Sequence, residues 1–497
     1  MMILQVLFLT IYFIVLVILF IYGMHRYYMV YLFYKYKSHR PTVKGVMDPL
    51  PRVTIQIPLY NEMYVVERLI NAVCNIDYPE GLIDIQVLDD STDETIDIAK
   101  RCVNNFKEKG WDITHIHRSV RKGYKAGALR EGLKTAKGEF LLLFDADFVP
   151  KPDMLKKTIH YFSDNEIGMV QMRWGYLNRG YSLLTQIESI LLDGHFMIEH
   201  TARNRSGRFF NFNGTAGIWR RSCLESAGGW QNDTLTEDLD ISYRAQLAGW
   251  KFIFLTDEVS PSELPVEMNA FKSQQHRWAK GSIQTAKKLL PAIIKSKLPL
   301  KVKIEACFHL TNNISYLLMV ILSLLMYPVM VARFNMGWFE MLIADLPFLF
   351  VATAAVSLFY VCSQREIYKN WRRRLLYIPL LMSLGIGLSV NNAKAVLEAL
   401  FDKETPFKRT PKYNIKEGKK GGGWKDKKYR GERNFLPFIE LLLGIYFTFN
   451  IYFAIVNEIY VSIPFLALFQ VGFLYISFLS FFHSIRGNRK GCSSVLH

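Results

Sequence analysis

The chain is poor in cysteine and short of acidic residues, and each shortage removes a class of function. Six cysteines are scattered over 497 residues, at 74, 102, 223, 307, 362 and 492. No two form a C-x-x-C pair, and zinc-finger spacing is absent. Isolated thiols of this kind read as reduced core fillers of a protein that faces the cytosol. Aspartate and glutamate number 44 against 61 lysines and arginines, a formal net charge of +17. Such a surplus suits nucleic acid, a membrane face or an anionic small molecule. No RNA-binding aromatic motif accompanies it, so nucleic acid drops out. Charge is also missing from Ile3 to Met24. That run lacks the basic start, short apolar core and small-residue cleavage site of a removable leader. At ~1.5 Å per residue it is long enough to cross a bilayer.

Half of the residues are hydrophobic and 14% are aromatic. The length suggests about three domain-sized units, part of which the long apolar runs consume. Arg26, Lys35, Lys37 and Arg40 follow the first run, so the N-terminus is expected outside and residue 40 in the cytosol. Residues 41–285 alternate apolar runs with helical patterns, which predicts βαβ units and a mostly parallel, Rossmann-like sheet. Strands are expected at Val53–Pro58, Ile83–Leu88, Phe140–Phe144 and from Gly168 to Asn178. The first three end in polar clusters: Leu59-Tyr60-Asn61-Glu62, Asp89-Asp90 and Asp145-Ala146-Asp147. Ligands of open α/β sheets sit beyond the carboxyl ends of the strands, so three such ends point to one crevice. Residues 286–307, rich in lysine and leucine, suit an interfacial helix.

The remainder divides into helices and one basic loop. Leu310–Ala332 and Met341–Cys362 are expected spans within 308–400. Leu375–Leu397 is long enough to span, but Asn391, Asn392, Lys394 and Glu398 are costly against lipid. The basic loop at 401–433 also belongs in the cytosol; it holds Lys403, Lys408, Arg409, Lys412, Lys416, Lys419 and Lys420. Residues 375–400 therefore read as interfacial or re-entrant. Phe435–Val456 and Ile463–Phe482 complete the spans in 434–497, and Arg486, Arg489 and Lys490 end inside.

Several residues carry legible chemistry. Asp145 and Asp147 offer the hard oxygen ligands that Mg2+ or Mn2+ takes, with Asp147 as the direct ligand and Asp145 toward a donor diphosphate. Thr236-Glu237-Asp238 opens a helix. Its acidic first turn serves as a cap, but a carboxylate at a rigid helix start also suits a general base, and Asp238 is assigned that role. Lys125 lies in a basic arm that enters a helix, a setting that favours anions. Arg277 brings a planar fork for a diphosphate, Trp278 an apolar face for a sugar ring, and Gln274 a hydrogen bond to either.

In this order, Asp89-Asp90, Asp145-Ala-Asp147, Thr236-Glu237-Asp238 and Gln274-x-x-Arg277-Trp278 resemble the processive family-2 glycosyltransferases of the cellulose synthase superfamily. Phe212-Asn213-Gly214-Thr215-Ala216-Gly217 is similar to the plant-type mannan and glucan synthase-like branch (cellulose synthase-like A and C). The resemblance implies a GT-A catalytic domain in the cytosol, fused to a transmembrane helical bundle with interfacial helices. It implies that Asp89 and Asp90 read base and ribose, that Tyr60 and Glu62 pack around the base, and that Lys125 belongs to the donor loop. Asn213, Gly214, Glu237 and Trp278 fall on the acceptor side. Phe407-Lys-Arg-Thr410-Pro-Lys412 resembles the gating loop Phe-x-Val-Thr-x-Lys, with Arg409 in the place of valine. The implied reaction extends a β-linked polysaccharide from GDP-mannose or UDP-glucose, with Mg2+ or Mn2+, at the plasma (inner) membrane. Transfer of one sugar to a membrane lipid, and a non-catalytic polysaccharide channel or sensor, stay open as alternatives.

Overall fold

The computed structural model describes residues 2–336, 341–416, 423–431 and 434–486. Lys419, Lys420, Arg489, Lys490 and Cys492 lie outside them. The five described cysteines are free thiols.

A seven-stranded sheet is the frame of the soluble block. Its strands are β1 (Val53–Leu59), β2 (Ile83–Asp89), β3 (Ile113–His117), β4 (Phe140–Leu143), β5 (Ile167–Tyr176), β6 (Gly217–Arg220) and β7 (Lys251–Ser262). They lie in the order β3-β2-β1-β4-β6-β5-β7. β1 pairs in parallel with β2 and β4, β2 with β3, and β5 with β7. β6 alone runs antiparallel to its neighbours. The sheet's central strands β1, β2 and β4 are buried on both faces, which explains their continuous apolar runs. In β4, Phe140 and Leu142 enter one core while Leu141 and Leu143 enter the other, the period-2 alternation of a strand. All four are fully buried, each contributing roughly 1.5–3 kcal/mol.

The helical half is built around a 35-residue helix, Met2–Tyr36, which packs on the helices Ile314–Asn335 and Met341–Ile367. Leu436–Val456 pairs with Ile463–Arg486. Five described helices are long and apolar enough to cross a membrane. A sixth candidate is broken: Trp371–Gly387 and Ser389–Leu400 meet at a bend of 41°. Asn391 and Asn392 turn inward there and are buried; Asn391 Nδ2 donates to the Lys272 carbonyl at 2.9 Å.

One helix joins the two halves. Met268–Lys295 carries Gln274, Arg277 and Trp278 and runs without a break across residue 285. The lysine-rich segment expected as a separate interfacial helix thus begins as its continuation. After a break the chain resumes as Leu300–Thr311. The continuation is amphipathic, with Leu289 and Ile293 packed against Leu239 and Tyr243 of the soluble block.

Candidate active site

The carboxyl ends of β1, β2 and β4 open on one cavity of about 170 Å³. Tyr60, Glu62, Asp90, Lys125, Asp145, Asp147, Asn213, Gly214, Glu237, Asp238, Gln274, Arg277, Trp278, Phe407, Thr410 and Lys412 all line it. Asp145 and Asp147 lie beyond the end of β4, where the chain leaves the sheet in a turn closed by the Phe148 N–H on the Asp145 carbonyl at 3.1 Å, and both line the cavity.

Asp89 is the predicted residue that the cavity leaves out. It adjoins Asp90 on an extended segment, so the two side chains diverge. Asp89 is fully buried, with Oδ2 2.9 Å from His115 Nε2 and Oδ1 accepting the Ser91 N–H at 2.9 Å. Burial opposes its ionisation, but those bonds overcome it and hold the carboxyl below its ordinary range. Asp90 does face the cavity, gripped by both arms of the Arg118 fork at 2.7 and 2.6 Å.

Charge pairs fill the centre. Lys125 Nζ donates to Asp145 Oδ1 and, at 2.9 Å, to the Gly214 carbonyl. Lys412 Nζ sits 2.9 Å from Asp147 Oδ2. Gly214 has φ +80°, and a Cβ there would lie 3.0 Å from Asp238 Oδ2, so glycine is needed twice over. Asp238 starts the helix Glu237–Leu247, and its Oδ1 accepts the Leu239 N–H at 2.8 Å. Burial, reinforced by Glu237, pushes its carboxyl up to about 7 against the pull of Lys125.

The 403–415 segment straps across the opening. Phe407 stacks on Tyr124 at 5.6 Å, and the Arg277 guanidinium lies 4.8 Å from its ring centre. Arg277 Nη1 also donates to the Lys408 carbonyl at 2.8 Å. Arg409, in the place of the gating loop's valine, pairs with Glu62 at 2.8 Å and covers the Tyr429 ring at 4.3 Å. Burial raises the Glu62 carboxyl to about 7 even beside Arg409. Two groups emerge that the motifs did not single out. The Arg121 guanidinium carbon lies over the Tyr60 ring, 3.4 Å from its centre. Glu263 anchors the strap by accepting the Tyr413 and Ile415 N–H groups at 2.7 and 3.2 Å. Arg121 stood in the basic arm; no sequence signal marked Glu263.

Residues 51–281 match the family model described as glycosyltransferase like family 2. The soluble block is a family-2 glycosyltransferase domain. The chain is 43% identical over 268 residues to glucomannan 4-beta-mannosyltransferase 1 of Oryza sativa subsp. japonica, covering 53% of this chain and 51% of that protein. It is 41% identical over 270 residues to glucomannan 4-beta-mannosyltransferase 7 of Arabidopsis thaliana, covering 53% and 49%. The chain therefore spans about half the length of the curated relatives it matches. Among solved structures it resembles a mannosyltransferase from Pyrobaculum calidifontis in complex with GDP-Man and Mn2+. The TM-score is 0.53 at 21% identity, over 80% of this chain and 99% of that one. The fold is GT-A.

A second cavity of about 240 Å³ adjoins the first. Asp238, Asn213, Trp174, Leu192, Thr236 and Trp278 line both. Its far wall comes from the helical half, with Phe308, Asn312, Tyr316, Phe359 and Tyr360. Asn213 is fixed at the junction: its Oδ1 lies 2.6 Å from His200 Nε2 and its Nδ2 3.0 Å from His195 Nε2. His195 Nδ1 in turn meets Glu199 Oε2 at 2.9 Å. The histidines sit on a π-helical turn, Gly194–His200, a feature that recurs at functional sites.

Proposed function

We propose that the chain transfers mannose from GDP-mannose, with inversion, to the end of a growing β-1,4-linked mannan or glucomannan. The observation that carries this is the position of Asp238. It stands where a cavity lined by aspartate, lysine and arginine meets a second cavity walled by the helical half. The names of the 4-beta-mannosyltransferase relatives favour a mannosyl donor over a glucosyl one. In this reading Asp238 takes the proton of an acceptor hydroxyl. That oxygen then bonds to the anomeric carbon while the bond to the diphosphate oxygen breaks. Arg277 and Lys125 bring positive charge to the departing diphosphate. Trp278 gives the acceptor sugar a flat apolar face, and Asn213 and Glu237 flank it. Tyr60, Glu62 and Asp90 surround the nucleoside, while Phe407, Thr410 and Lys412 close over the donor and keep water out.

Asp145 and Asp147 also fit a hard divalent cation. Each is an oxygen donor facing the cavity, and each already has an ammonium group beside it. No described group of three or more His, Cys, Asp or Glu residues surrounds one point. One or two carboxylates plus the donor's own phosphates would make up the ligand set. Mg2+ or Mn2+ held there supplies charge that stabilises the leaving diphosphate. The catalytic unit is taken as cytosolic and as extending to residue 295, in a multi-pass protein of the plasma (inner) membrane.

Labelled GDP-mannose and UDP-glucose offered separately to purified protein, followed by linkage analysis, test the proposal. A long alkali-resistant β-1,4 mannan from GDP-mannose is expected. An organic-extractable product would establish a lipid acceptor instead, and no product from either donor would overturn catalysis.

A further inference from the structure

One buried acid in the cavity has no place in the chemistry above. Glu188, on the helix Leu183–Asp193, is 1% exposed, and neither carboxyl oxygen has a hydrogen-bond partner. It nevertheless lines the cavity that holds Asp147, Asp238 and Arg277. Burying such a group unpaired is destabilising. An apolar residue would fill the same volume without that cost.

Glu188 is not alone. Trp174 Nε1, Gln274 Oε1, Thr410 Oγ1 and Thr236 Oγ1 are also buried without partners, and all four residues line the same cavity. The wall thus offers a donor from the indole, an acceptor from the amide, and both from the hydroxyls. A diphosphate accepts only. A purely apolar ligand would leave all of them unpaired. A polyol satisfies them together, since each hydroxyl both donates and accepts.

We infer that Glu188 is a sugar-reading residue, whose carboxyl hydrogen-bonds the ring hydroxyls of a hexose held between Trp174, Gln274 and Thr410. Burial also holds this carboxyl well above its ordinary range. The uncharged form that burial favours can donate to one hydroxyl and accept from its neighbour. The inference rests on the glycosyltransferase reading and adds the determinant of sugar choice. The hexose belongs either to the donor or to the acceptor end, and the test separates the two.

Glu188→Gln keeps a donor and an acceptor at equal size, whereas Glu188→Leu keeps only the volume. The assay uses full-length protein in detergent or nanodiscs, with GDP-mannose, GDP-glucose and UDP-glucose as donors and manno-oligosaccharides as acceptors. Glu188→Gln is expected to keep KM and kcat within about threefold. Glu188→Leu is expected to raise one KM by roughly 10–100-fold and to erode selection among hexoses that differ at a single hydroxyl. A rise in donor KM, with GDP binding unchanged, assigns Glu188 to the donor sugar. A rise in acceptor KM assigns it to the chain end. Thermal stability distinguishes a packing role: Glu188→Leu should melt at or above the wild-type temperature. Unchanged KM and selectivity in Glu188→Leu, or a melting temperature that falls along with activity, overturns the inference while leaving the glycosyltransferase reading intact. A wild type without turnover of any donor overturns both.

Discussion

At the residue scale, Asp238 and Gly214 make the sharpest claims. Asp238 must be ionised to accept a proton, and burial holds its carboxyl near 7. The active form of the free enzyme therefore accumulates as pH rises through about 7 and is lost as pH falls. The acid limb of a kcat/KM profile should bend there, well above the ~3.9 of an unperturbed aspartate. Asp238→Asn should lower kcat by roughly 10²–10⁴-fold; wild-type turnover in this variant would remove the general-base role. Gly214→Ala tests the close approach. A non-glycine residue at this positive φ costs about 1–3 kcal/mol, and its Cβ presses on the Asp238 carboxylate. Both the melting temperature and kcat should drop; loss of stability with full kcat would mean that the contact is not catalytic. Much of this was legible in the sequence, because polar residues at strand ends and a helix start have few roles. Asp89 was misjudged because adjacent carboxylates look alike in a string and diverge only on a pleated backbone. Glu188 and Glu263 were invisible because their meaning lies in burial, and no spacing rule marks a lone glutamate in a helix or after a strand.

At the element scale, the Met268–Lys295 helix has two working faces. One presents Gln274, Arg277 and Trp278 to the cavity. The other carries Lys272, His276 and Lys280 at intervals of four, one above another. Lys272 meets Glu440 at 2.6 Å with both side chains fully buried. His276 and Lys280 share Glu398, at 3.0 and 3.4 Å, and Lys280 also reaches Thr405 at the root of the strap at 2.7 Å. Lys272→Met strands the Glu440 carboxylate and should cost about 3–5 kcal/mol. The double variant Lys272→Met/Glu440→Leu should recover most of it, read as melting temperature in detergent; equal losses in single and double variants would show that the pair does not couple the halves. This face was hidden in the sequence, since lysine and histidine among polar neighbours read as solvated. The missed strands have similar causes. β3 is five residues long with a partly exposed histidine-rich run, β6 is four, and β7 follows a glycine turn without clear alternation. The long apolar helices were legible because nothing else sustains such runs.

At the scale of the whole molecule, charge and topology give two further tests. Chelation by EDTA should abolish turnover, and Mn2+ or Mg2+ should restore it; metal-independent synthesis would contradict the role given to Asp145 and Asp147. If 371–400 re-enters without crossing, the loops at Lys403 and Lys37 share one side, and Tyr460 lies on the other. Cysteines placed at 403 and 460 should differ toward an impermeant maleimide in sealed cells, with Tyr460→Cys labelled from outside and Lys403→Cys only after permeabilisation. The reverse pattern, Lys403→Cys labelled from outside and Tyr460→Cys only after permeabilisation, would make the bent pair a true span.

The Lys272, His276 and Lys280 side chains of the Met268–Lys295 helix also settle what can be made in isolation. A fragment ending at 285 would keep the whole GT-A sheet yet carry Lys272, His276 and Lys280 into water, or into one another, with Glu398 and Glu440 left behind. The sheet-bearing half of this protein is thus not an excisable module: severed from its helical partner, it forfeits the counter-charges that hold its own floor in place.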